Sequence, residues 1–187
     1  MYVKDKTFER VSFGKEKVTG EFENCRFLHC DFSESDLSAC IFTSCGFLAC
    51  NMSLAKLRDA SFQEVEFREC KMLGWRFDTC NPFGLVFSFH TCVLDHASFF
   101  NTKIQHTVFY QTQLKEVDFS QSDLTGASFD GSNLLMANFE RTILEKADFR
   151  NAQNFEIDPE TNRIRKAKFS LSGLPGLLKK HQLHIEP

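Results

Sequence analysis

No stretch of this 187-residue chain approaches the roughly eighteen consecutive apolar residues of a membrane-spanning helix, and Met1 to Lys6 does not open an apolar leader. The expectation is a cytoplasmic protein with no membrane association. The sequence also has no glycine-rich phosphate loop, and its six histidines are scattered with no nucleophile and base at a recognised spacing. It gives no support to an enzyme, so no catalytic residue is assigned, and neither a cofactor nor a metal is expected. An excess of basic charge is missing too. Residues 20–152 hold eighteen Asp and Glu against eleven Lys and Arg, whereas residues 1–19 are basic by five to three and residues 153–187 by six to four. An acidic body disfavours direct nucleic-acid binding and suits a basic partner surface.

What the chain does have is a period of five. Phe22, Phe27, Phe32, Leu37, Phe42, Phe47, Met52, Leu57, Phe62, Phe67, Met72 and Phe77 keep one register, and Leu94, Phe99, Ile104 and so on to Phe149 keep a second. Two residues before these centres comes a small residue, as at Cys25, Cys30, Ser35, Cys40, Ala127, Ser132 and Ala147. Five fits neither the 3.6-residue repeat of a helix nor long strand alternation, so something turns the chain at every unit. If each unit is one side of a square coil, the centre and the small residue both point inward, as alternate residues of an extended segment do. Residues about twenty apart then stack at roughly 4.8 Å, and the strict alternation of Phe with Leu or Ile after Leu94 places Phe on opposite sides. The fold class is all-β: a solenoid of six or seven coils in one domain, with the repeat body at residues 20–152.

All eight cysteines fall in the small inward slot. Burial of a small apolar side chain explains them together, ahead of zinc, which prefers tight pairs, or disulfides, which prefer exported chains.

Function in repeat proteins is usually grafted where the pattern breaks. The main break is residues 81–93, where Pro82 stands at a centre position, two extra residues intervene before Leu94, and Trp75 fills a small slot just upstream. It reads as a bulge or a short loop, with Pro82, Phe83 and Phe89 as the candidate interaction surface beside outward Phe100 and Tyr110. Residues 1–19, with Phe8 and Phe13, read as a partial first coil that caps the core. Residues 153–187 read as a turn at Ile157 to Ile164, a last side at Ala167 to Phe169, a short helix capped by Ser172 with Pro175 in its first turn, and a closing strand at Leu183 to Ile185. Leu174, Leu177, Leu178, Leu183 and Ile185 can cap the core or join two copies end to end.

The units Ser122-Asp123-Leu124-Thr125-Gly126 and Ala147-Asp148-Phe149-Arg150-Asn151 resemble the A-(D/N)-L-x-x consensus of the pentapeptide-repeat family. The resemblance implies a right-handed quadrilateral β-helix. The run from Glu16-Lys17-Val18 into Phe22 to Ser38, and the Ile157 to Ile164 segment with the leucine helix after it, are similar to the branch containing quinolone-resistance and microcin B17 immunity proteins. That branch implies a homodimeric, DNA-imitating rod that engages DNA gyrase or topoisomerase IV, joined through the C-terminal leucines and Ile185. The acidic role would fall on outward Asp118, Asp123 and Asp148. Two features depart from the branch: there is no insertion between Phe47 and Met52, and Arg58, Arg68, Lys71, Arg76, Lys103 and Lys115 interrupt any negative stripe. A scaffold for another protein partner is the alternative.

Overall fold

The computed structural model describes residues 1–14 and 17–184, and the chain coils as a four-sided parallel β-helix. Two sides carry regular strands. On the first, β1 (Tyr2–Lys4), β3 (Glu21–Glu23), β5 (Ile41–Thr43) and β7 (Ser61–Gln63) pair in parallel; on the second, the order is β2 (Thr7–Glu9), β4 (Arg26–Leu28), β6 (Gly46–Leu48), β8 (Val65–Arg68), β9 (Phe87–His90) and β10 (Val108–Tyr110). The third and fourth sides are rows of single bridges, such as Asp31 to Asn51 to Lys71 to Val93 and Ser98 to Asp118 to Asn138.

The corners explain the period. The residue two after most centres is left-handed, as at Asn24 (φ 50°), His29 (φ 53°) and Glu34 (φ 57°), a conformation that costs an ordinary L-residue energy unless its surroundings fix it. Here the next coil fixes it: the amide of Asn24 donates to the Thr43 carbonyl at 2.9 Å and that of His29 to Leu48 at 2.8 Å. Where an Asp or Asn precedes the centre, it also belongs to the turn. Its side chain accepts the amide two residues on, at 3.0 Å from Ser33 to Asp31 and 3.0 Å from Thr125 to Asp123. The polar half of the five-residue consensus is therefore turn chemistry.

Inside, one ring column runs the length of the second side through Phe8, Phe27, Phe47, Phe67, Phe89, Phe109, Phe129, Phe149 and Phe169, with stacked centroids 4.6–5.4 Å apart. One ring per coil makes nine coils among the described residues, more than the six or seven expected, because residues 1–14, 17–19 and 164–169 coil as well. The first coil has all four sides and is not partial: Val3, Phe8, Phe13 and Val18 supply its four centres, and β1 and β2 pair with β3 and β4. Its last corner is one residue short. Gly20 sits there at φ +154°, where a Cβ would lie 2.8 Å from the Met1 carbonyl oxygen.

The first side holds a second column, Phe22, Phe42 and Phe62, and the fourth side takes over with Phe77, Phe99, Phe119 and Phe139. In the C-terminal half Phe thus lies on opposite sides, with edge-to-face contacts across the axis such as Phe109 to Phe119 at 5.7 Å. The handover occurs at the break. Trp75 and Phe87, both in small slots, are buried there and pack on Phe62 and Phe77.

Many small-slot side chains donate to the preceding coil, whereas Ser35, Thr102 and Ser122 donate to the carbonyl three residues back at 2.6–2.7 Å. The Cys45, Cys50 and Cys70 thiols reach carbonyls of the preceding coil, Phe22, Phe27 and Phe47, at 3.3–3.5 Å. Ser132 and Thr142 make the same bond to Phe109 and Phe119 at 2.9 Å. All eight cysteines are buried and free, and burial pushes the Cys40 and Cys45 thiols up to about 11.

Candidate interaction surfaces

At the C-terminal end, the last ring column meets a short cap. A 3-10 turn at Leu171–Gly173 leads into helix α1 (Pro175–Leu178) and a second 3-10 turn at Lys179–His181. Pro175 takes the first helical position, where its missing N–H costs nothing. The capping oxygen belongs to Ser170, not Ser172: Ser170 Oγ accepts the Gly173 amide at 3.2 Å, and Ser172 Oγ lies 3.0 Å from Ser170 Oγ. Gly176 lets the helix approach the core, since a Cβ there would stand 2.3 Å from the Phe155 carbonyl oxygen. Lys179 to Glu156 at 2.7 Å, and Lys180 to Asp158 at 2.7 Å and to Glu160 at 2.6 Å, tie the cap to the preceding turn.

This cap divides the five leucine and isoleucine candidates. Leu177 turns inward and packs against the core, whereas Leu174, Leu178 and Leu183 are exposed on the outer surface. Leu183 and His184 form no strand; left-handed Gln182 turns the chain away before them. Ile185 lies outside the described residues. Leu171, 88 % exposed, joins the outer leucines and was not singled out in the sequence, where it looks like an ordinary corner position.

The break is tighter than the expected 81–93. Asn81 still bonds to Ala60 at 2.9 Å, and Val86 returns to the Phe62 carbonyl at 2.9 Å, so the two extra residues lie within Pro82 to Leu85 on the first side. Pro82 and Phe83 are exposed, Phe83 by 82 %, with Asn81 Oδ1 accepting the Phe83 amide at 3.0 Å. Phe89 is not part of this surface. It is fully buried in β9 between Phe67 and Phe109, the first centre of the second register, so the two extra residues come before it and not between it and Leu94. Phe100 and Tyr110 are exposed on the fourth and second sides, so they do not join Phe83 in one patch.

The three aspartates are also separated. Asp118 bridges Ser98 and Asn138 on the fourth side, Asp123 bridges Lys103 and Ile143 on the first, and Asp148 bridges Ser128 and Lys168 on the second. Each carboxylate serves a turn. Asp118 accepts from the Ser120 amide and hydroxyl at 2.9 and 2.6 Å. Burial works against the charge on Asp123, but Thr125 and Gln105 donate to it and hold its carboxyl below the usual range. Asp148 is held low chiefly by Arg150, whose Nη2 lies 2.7 Å away, with Lys168 at 3.7 Å. Basic residues alternate with acidic ones along these rows, as in Lys17, Asp36 and Lys56 on the fourth side.

Among the described residues no cluster of three metal-binding side chains occurs, and no helix is long and apolar enough to cross a membrane. The family profile for the pentapeptide repeat region matches residues 20–87, and that for pentapeptide repeats in eight copies matches residues 92–131 and 122–153. No curated protein sequence matches the chain. Among solved structures it is similar to a trypsin-treated variant of QnrB1, a plasmid-mediated fluoroquinolone resistance protein, at 16% identity and a TM-score of 0.63, covering 100% of this chain and 98% of that one. Full-length QnrB1 matches at 19% identity and a TM-score of 0.52, over 95% of this chain and 100% of that one. With the repeat profiles spanning most of residues 20–153 and the coil they describe present throughout, the chain belongs to the pentapeptide-repeat family.

Proposed function

We propose that this chain is a non-enzymatic binding rod of the quinolone-resistance type that works as a homodimer and engages a type II topoisomerase, DNA gyrase or topoisomerase IV. The observation that carries the dimer is the leucine surface at the C-terminal end. Leu177 already closes the chain's own core, so exposed Leu171, Leu174, Leu178 and Leu183 are left facing outward beyond what capping requires. An end-to-end contact between two copies would cover them by a self-complementary, two-fold arrangement. The topoisomerase partner is supported by the resemblance of the N-terminal coils and C-terminal segment to that branch, and by the overlay on QnrB1 along the whole of both chains.

A second reading, a scaffold for a different protein partner, is favoured by one specific observation. Asp118, Asp123 and Asp148 occupy three sides and basic residues interrupt the rows, so no side reproduces the unbroken charge of duplex DNA. Binding of purified gyrase and topoisomerase IV to the immobilised protein, with duplex DNA as competitor, separates the two. The topoisomerase reading expects micromolar binding that DNA displaces. Absence of binding to either enzyme leaves the scaffold.

A further inference from the structure

The first side of the rod is divided by charge about its own midpoint. Its N-terminal coils present Asp5, Glu21, Glu23 and Glu64 with a single base, Lys4. Its C-terminal coils present Lys103, Lys146, Arg163, Arg165 and Lys166, against Asp123 and Glu145. One half is therefore three charges negative and the other three positive. The second, third and fourth sides mix both signs in each half, as at Glu66 beside Arg68 and Asp148 beside Arg150 on the second.

The boundary between the halves is the fifth of nine coils, and it is there that the two extra residues push Phe83 outward. Phe83 is 82 % exposed and Val86, three residues on at the adjoining corner, is 56 % exposed. Gly84 seats this loop against the Gln63 side chain, where a Cβ would come within 3.1 Å, so the loop stands on the face and does not hang from an end of the rod. An apolar centre flanked by opposite charges is the composition of an interface with a dry core and a polar rim.

We propose that the first side binds a second copy of this chain, side by side and antiparallel, about a two-fold axis through the Pro82–Leu85 loop. The occupant follows from symmetry. A two-fold rotation at the midpoint lays each acidic half on the partner's basic half and each Phe83 beside the partner's loop, so one face satisfies itself twice over. Nine coils at roughly 4.8 Å give a face about 40 Å long, enough for an interface of the usual size. Parallel pairing would put like charges together along the whole length and is disfavoured. This contact is separate from the C-terminal one and uses none of its residues.

Sedimentation velocity of the full-length protein at micromolar concentration, in low and high salt, tests it. Three surface variants are compared with the wild type: Phe83→Asp; Glu64→Lys; and Lys103→Glu. Each is expected to weaken the lateral association at least tenfold while leaving circular dichroism unchanged, and salt is expected to weaken it in the wild type. The decisive variant combines Glu64→Lys with Lys103→Glu, an exchange of opposite charges between the fourth and sixth coils, which face each other across the two-fold axis. It is expected to regain association, since complementarity is restored. A combined variant no better than either parent overturns the proposal, as does wild-type association that none of the three variants changes. Association that disappears wholly with Leu174→Asp and Leu178→Asp also overturns it, and in that case the end-to-end dimer stands alone. If those leucine changes leave a salt-sensitive dimer that Phe83→Asp dissociates, the lateral contact holds, and the end-to-end dimer fails only where the leucine changes leave the wild-type size distribution unaltered.

Discussion

The indole of Trp75 lies against the ring of Phe62, with centroids 5.7 Å apart, where the ring column of the first side ends. Trp75 occupies a small-residue slot, yet its Nε1 donates to the Met52 carbonyl, the same preceding-coil bond that Cys70 makes to Phe47. A side chain several times larger than its neighbours in the slot therefore keeps that hydrogen bond. It is fully buried among Phe62, Phe67 and Phe77, in the coil just before Pro82 and Phe83 turn outward where the next inward centre belongs. The sequence break and the tryptophan are one adjustment.

Replacing Phe119 by Ala should cost about 3–5 kcal/mol, as large-to-small changes in packed cores do. Its ring touches Phe99 and Phe139 in its own column and Phe109 and Phe129 across the axis, so four neighbours lose a partner. Urea unfolding followed by circular dichroism measures the loss. An unchanged midpoint would mean that the interior is assigned wrongly.

Gly176→Ala should loosen the C-terminal cap without unfolding the rod. The added Cβ meets a backbone oxygen, that of Phe155, at 2.3 Å, and backbone cannot swing aside as a side chain can. The expected outcome is faster amide exchange at Ile157, whose N–H donates to Gly176 at 3.0 Å, and cleavage by protease after Lys179 or Lys180. Exchange rates equal to the wild type at Ile157 would contradict the close approach.

Leu174→Asp with Leu178→Asp should lower the mass seen by light scattering, by removing the end-to-end contact while Leu177 continues to cap the core. Leu177→Asp alone should instead lower stability, because that side chain packs inward. The reverse pattern would exchange the roles assigned to these leucines.

Acid should destabilise the rod through its turn aspartates. The carboxyls of Asp36, Asp123 and Asp148 are all held below their ordinary values in the folded chain. A depressed folded-state value contributes stability above the unfolded value, about 3.9 for Asp, and that contribution is lost as pH falls through the folded value. Thermal midpoints should therefore decline below about pH 4. Asp148→Asn, which keeps an acceptor for the Arg150 amide but no charge for its guanidinium, should decline less steeply. An identical slope would remove Asp148 from the explanation.

The fold was legible because the five-residue units repeat the same instructions: an inward Phe or Leu, a small residue before it and, in many units, an Asp or Asn that closes the turn. Phe109, Phe119 and Phe129 could be placed on opposite sides from the alternation alone. Phe89 could not, because Phe87 and Phe89 both alternate inward around it and only the pairing of β8 with β9 fixes which one is a centre. The first coil was obscured by its 19-residue offset, which Gly20 makes possible at a corner one residue short. The candidate surfaces were less legible for a different reason. Side-chain direction on a four-residue helix depends on how Gly176 seats it over Phe155, so spacing alone could not separate inward Leu177 from outward Leu174 and Leu178. The distribution of Asp118, Asp123 and Asp148 over three sides does follow from their residue numbers once the coil has four sides.

Supercoiling by purified gyrase, with this protein titrated in and with or without a fluoroquinolone, tests the functional account most directly. The account predicts inhibition of supercoiling, or rescue from the drug, at micromolar protein. Unchanged supercoiling in both conditions across that range would contradict a topoisomerase partner.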